Sequence, residues 1–142
     1  MYNIIQHSHS GIMWLAVTML VLSVLFSLLS LIKNNEPFSL KWFKFYKITK
    51  WVFYIQTLLG LTLFFISPKV SFESGFMKSE TLRFYAMEHP IMMLIVVALI
   101  SIGLFKARKK EVSILKSKTV FIYYTIALVV VALMVPWETV LA

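Results

Sequence analysis

Four long apolar stretches, parted by polar or lysine-rich segments, set the pattern of this chain: Gly11 to Ile32, Ile48 to Ser67, Ala86 to Phe105 and Thr119 to Val135. Each approaches the roughly 20 residues that an α-helix needs to cross a bilayer. Helix is the expected form, because in hydrocarbon every backbone N–H and C=O must find its partner within the segment. The pattern predicts an all-α, integral membrane four-helix bundle, a single domain over residues 1–142 with helices at 9–32, 48–67, 80–105 and 119–136.

Within the stretches, the small and polar residues fall on stripes. Steps of three or four from His9 meet Met13, Ala16, Leu20, Ser23, Ser27 and Ser30, a row of the kind that lines helix contacts in lipid. The second stretch carries Gln56, Gly60, Leu63 and Ser67 at the same spacing, and Gly60 is expected to let a flat ligand approach the backbone. From His89 the steps lead back to Tyr85 and forward through Met92, Met93, Val96, Ile100 and Gly103. Pro90 lacks an N–H and frees the carbonyl of Ala86, which predicts a kink beside His89. Ser79 is placed to cap the third helix, with Glu80 in its first turn.

Composition agrees with a bilayer. The chain is 60% hydrophobic and 14% charged, with mean hydropathy +0.84, against roughly 45–50% and 25% in soluble domains. No Lys or Arg precedes the first stretch and no A-x-A site follows it, so it is expected to stay as a mature helix rather than be cleaved as a leader. Cysteine is absent, which removes disulfides and thiolate chemistry.

Charge orients the bundle. The first connection sets Lys33, Lys41, Lys44, Lys47 and Lys50 against Glu36, a net of +4. The third sets Lys106, Arg108, Lys109, Lys110, Lys116 and Lys118 against Glu111, a net of +5. The remainder sets Lys69, Lys78 and Arg83 against Glu73, Glu80, Glu88 and Glu138, a net of −1, which completes the +8 of the chain. Lysine-rich loops stay in the cytoplasm, so both termini and the loop at 68–85 are expected outside, in the periplasm of a bacterial inner membrane. Topology accounts for the basic residues and no recognition motif accompanies them, so nucleic acid is not an expected partner. Trp42, Trp51, Tyr46, Tyr54 and Trp137 are read as interfacial aromatic belts.

The three histidines then gather at one face. His7 and His9 precede the first apolar stretch, and His89 lies about 5 Å inside the third at ~1.5 Å per residue. His7 is about 200° around the helix from His9 and faces elsewhere. Opposed imidazoles at one level of a four-helix bundle, walled by apolar and methionine side chains, suit a six-coordinate haem b. His9 and His89 are the expected axial ligands, with His7 the substitute for His9, and Arg83 is the expected partner of a haem carboxylate. Glu88 could orient a ring or accept a proton. Two other readings stay open on the same residues: a periplasmic copper or zinc site from His7, His9, His89 and Glu88, and a cofactor-free accessory subunit docking through its small-residue stripes. A transporter is thinly supported, since no charge lies mid-membrane. With three histidines on one side, a single centre is the most the chain can hold. Stand-alone catalysis is not expected, because the chain has no Ser-His-Asp set, no phosphate loop and no Asp.

Three motifs carry a family resemblance: HSGIMW at 9–14, QTLLGLTLFFISPKV at 56–70 and LRFYAMEHPIMM at 82–93. Their order and spacing resemble small four-helix membrane proteins of Bacteroidetes labelled "cytochrome B". The resemblance spans about three quarters of the chain, and Met13 stands where that family's pattern has Arg. It implies a b-type haem protein. A single centre at the outer face, as the three histidines allow, could pass electrons between a membrane quinone and a periplasmic redox protein, sense redox state, or serve within a larger set of membrane subunits. A looser likeness, to small bacterial membrane protoporphyrinogen oxidases, rests on a histidine near the start of the first helix.

Overall fold

The computed structural model describes residues 1–33 and 41–141. Glu36, counted above in the first connection, lies outside the described residues. Four long helices form the molecule: α1 (Tyr2–Lys33), α2 (Phe43–Ile66), α3 (Glu80–Lys109) and α4 (Ser113–Met134), all long and apolar enough to cross a membrane. A short helix α5 (Trp137–Leu141) follows Pro136. No strand occurs among the described residues.

The helices outrun the apolar stretches that predicted them. α1 begins at Tyr2 and spans 32 residues, about 48 Å at 1.5 Å per residue, so its first turns reach beyond a ~30 Å hydrocarbon core. α2 and α4 begin at Phe43 and Ser113, inside the lysine-rich flanks. Lysine is a good helix former whose long stem covers apolar surface while its ammonium stays wet, so these flanks extend the helices. Lys109 lies 4.2 Å from the centre of the Phe105 ring and Lys50 5.0 Å from that of Trp51.

Neighbours run in a closed ring: α1 packs on α2 and α4, and α3 packs on the same two. Antiparallel directions follow from the ends. Ser67, just past α2, bonds the hydroxyl of Tyr2 at the start of α1, and His89 in α3 bonds the carbonyl of Met134 at the end of α4. α1 and α3 therefore stand on the diagonal.

Burial is inverted relative to a soluble protein. Phe65, Leu133 and Leu58 are 80%, 71% and 67% exposed, whereas Ser23, Ser27 and Ser30 are at 0%. The buried residues of α1 are the six of the His9 stripe, from Met13 to Ser30. Their hydroxyls are satisfied locally: Ser23 on the carbonyl of Met19, Ser27 on Val24 and Ser30 on Phe26. Ser23 also meets Thr49 of α2 at 3.1 Å. On the far side, the Tyr124 hydroxyl donates to the Tyr46 carbonyl, linking α4 to α2. Tyr46, expected in an interfacial belt, is fully buried; Trp51 is exposed, as a belt residue would be.

Gly103 marks a close approach of α3 to α4. A Cβ there would overlap Cβ of Tyr123 on α4, at the rooted end of the side chain where nothing can swing aside. Gly11 has open space around it. Gly103→Ala is therefore expected to cost about 1–3 kcal/mol of stability in detergent, read as a lowered unfolding midpoint, while Gly11→Ala leaves the midpoint where it was.

Candidate functional site

The entrance to α3 is shaped by prolines and caps. Ser79 accepts a hydrogen bond from the Leu82 amide, so the capping expectation holds. Four residues later the helix widens into a π turn over Phe84–Glu88, and the His89 amide bonds the carbonyl of Phe84, five residues back. Pro90 offers no N–H to the carbonyl of Ala86, so the regular ladder is already broken here, and the expected kink takes the form of this π turn.

The turn decides which side chains reach the interior. It brings Arg83 and Glu88, five apart, onto one face, where the guanidinium Nε donates to Glu88 Oε2 at 2.9 Å. The same guanidinium donates to the Met77 carbonyl. Neither Arg83 nor Glu88 lines the central cavity. Arg83, expected beside a haem carboxylate, and Glu88, expected to orient a ring or accept a proton, pair with each other in this arrangement.

The cavity occupies the end of the bundle where α1 and α3 start, and measures about 190 Å3. His9 and His89, from the diagonal pair of helices, both line it, as do Met13, Met93, Gln56 and Gly60. His7 is exposed on the outer side of α1 and does not reach the cavity. Among the described residues no group of three or more His, Cys, Asp or Glu is gathered, so the four side chains of the copper or zinc reading are not brought together.

Each imidazole is held differently. His89 Nδ1 lies 2.8 Å from the carbonyl of Met134. A carbonyl only accepts, so Nδ1 carries the proton and Nε2 of the neutral ring keeps its lone pair. His9 packs over Gly60: a Cβ there would stand 3.1 Å from its Cε1. Gly60 thus makes room for the His9 ring itself, where a flat ligand was expected. Its Nδ1 is buried without a hydrogen-bond partner. Gln56 braces the backbone beneath, donating to the His9 carbonyl at 2.8 Å, while its own Oε1 is buried and unpaired.

Two features escaped the sequence reading. Lys69, rather than Arg83, is the cation that lines the cavity, with its ammonium 5.2 Å from the centre of the Tyr85 ring. Nothing in helical spacing places Lys69, since it lies in the connection after α2. The acceptor for His89 had a signal: Pro136 stops α4, which leaves carbonyls of its last turn without helical donors. The Trp137 indole takes that of Ala132 and His89 takes that of Met134.

An all-helical, lipid-suited bundle with two imidazoles on one apolar cavity is the class of protein that fold and site define. Comparisons with protein families, with curated proteins and with solved structures find nothing that matches this chain.

Histidine accessibility follows directly. Treatment with diethylpyrocarbonate, read by peptide mass spectrometry, is expected to modify His7 first, with His9 and His89 protected until the bundle is unfolded. Equal modification of all three would contradict the arrangement.

Proposed function

We propose that this is a b-type cytochrome-like membrane protein that holds one haem between α1 and α3, with His9 and His89 as axial ligands. The observation that carries the reading is that imidazoles from diagonal helices line one apolar cavity. The donor chemistry fits. His89 has Nδ1–H fixed on a backbone carbonyl, the arrangement that orients metal-ligating histidines and leaves Nε2 to the metal. His9 has a buried nitrogen with no partner in the protein, and an unmet polar atom of that kind costs about 1–3 kcal/mol. Lys69 supplies a cation for a propionate at the cavity wall.

The cavity, at about 190 Å3, is below the roughly 300–1,000 Å3 of small-molecule pockets, so a macrocycle enters by displacing side chains. Met13 and Met93 are unbranched and flexible, and the His9 ring can leave its seat on Gly60. Haem, once bound, supplies a one-electron couple whose potential its axial ligands and burial set. The residues of the chain hold the two ring orientations, exclude water with Val97, Val131 and Leu94, and keep the Met134 carbonyl on the ligand's far nitrogen.

The Lys-rich ends of α1 to α4 belong on the cytoplasmic side and the cavity end outside, in a bacterial inner membrane with both termini periplasmic. A centre at the outer face suits exchange with a membrane quinone or a periplasmic redox protein, or redox sensing, alone or among other subunits. The resemblance to the Bacteroidetes "cytochrome B" proteins points the same way.

Detergent-purified protein from haem-sufficient cells is expected to show sharp reduced bands near ~560 nm, the signature of a six-coordinate b-type centre, at about one iron per chain. His9→Ala and His89→Ala are expected to lose the bands and His7→Ala to retain them. A colourless wild-type protein would overturn the haem reading and leave a cofactor-free accessory subunit, its histidines serving as packing and hydrogen-bonding groups.

A further inference from the structure

The opposite end of the bundle carries a second concavity, a shallow groove along the seam of α2 and α3. Lys50 and Arg108 line it with Tyr54, Ser101, Ile102 and Phe105. The Tyr54 hydroxyl and Ser101 bond each other at 2.6 Å, which ties the two helices together within the groove. Phe105 and Ile102 are 54% and 47% exposed on the same helix as Arg108.

The charge of the groove is unbalanced. Among the described residues no carboxylate lines it, and the ion pair formed among them, Arg83 with Glu88, is at the other end. The Lys50 ammonium lies 5.6 Å from the ring centre of Tyr54, which lines the groove, and 5.0 Å from that of Trp51, which does not. Two cations lining one concavity repel, and an anion between them turns that repulsion into attraction. The walls select the kind of anion. A free phosphate has no use for Phe105 and Ile102, whereas a phospholipid places its phosphate between the cations and an acyl chain along the apolar wall.

We infer that this groove binds an anionic phospholipid, with Lys50 and Arg108 on the headgroup phosphate and Ile102 and Phe105 against the acyl chain. The inference rests on the membrane setting of the four helices and is independent of the haem. Lys44 and Lys118 lie at the same end, exposed and outside the groove, and have no part in it.

Native mass spectrometry of the full chain, released from nanodiscs with equal phosphatidylglycerol and phosphatidylcholine, tests it. Two near-surface cations favour the anionic lipid by roughly 30-fold, and Lys50→Ala/Arg108→Ala is expected to reduce that preference to a few-fold while Lys44→Ala/Lys118→Ala keeps it. Equal loss in both double variants would mean a diffuse basic surface and would overturn the site. So would a wild-type protein without preference, or displacement of the lipid by millimolar inorganic phosphate. Circular dichroism checks that helix content is kept; Lys50→Gln/Arg108→Gln, which retains the side-chain length, replaces the alanine pair if it is not. The visible spectrum is read in parallel, so that loss of lipid preference and loss of haem are separate results.

Discussion

A hydroxyl or imidazole surrounded by hydrocarbon is costly without a partner, and the partners found inside the bundle organise most of this molecule, with His9 Nδ1 the exception at the cavity. The serines of α1 are satisfied on the carbonyls of their own helix, which leaves a narrow face that α2 and α4 can approach. Interhelical bonds then fix the neighbours, Ser23 to Thr49, Tyr54 to Ser101 and Tyr124 to the Tyr46 carbonyl. Each is worth only about 0.6 kcal/mol by the average for membrane helices, so they act mainly as register marks. Close approach at Gly103 and dispersion along the stripes supply the packing.

The His89–Met134 bond is the same constraint applied at the site. Two prolines make it possible: Pro90 breaks the ladder beside the histidine and Pro136 ends α4 so that a carbonyl is available. The imidazole is thereby oriented by backbone, which is stiffer than any side-chain partner. His9 has no such brace on its ring and rests on Gly60, so the two halves of the pair differ in how readily they move. That asymmetry leaves His9 the less constrained wall of the cavity.

Much of this was legible because lipid burial follows helical period closely. The six residues stepped off from His9 are the six that α1 buries, and Val96, Ile100 and Gly103 are buried on α3 as their spacing implied. The separation of His7 from His9 came from the same arithmetic, whereas the expectation of His9 and His89 at one end came from the charge of the connections. The arithmetic failed where the period changes. Across the π turn an α-helical count misplaces Arg83 and Glu88, which the wider turn pairs with each other. It was silent on Lys69, which no helix carries. Tyr46 was misread for another reason: aromatic residues near a span end sit either in the headgroup layer or in the core, and only the partner on α4 decides which.

The order of synthesis gives the Met134 carbonyl one more meaning. It lies 45 residues after the histidine that it orients, so α3 can be made and inserted while His89 still lacks its acceptor. The pocket is finished only when α4 has been threaded back alongside α3 and its final turn has reached the far end. The orientation of that ring is therefore set late, on a completed bundle, and a nascent chain stalled before α4 would present a histidine free to rotate.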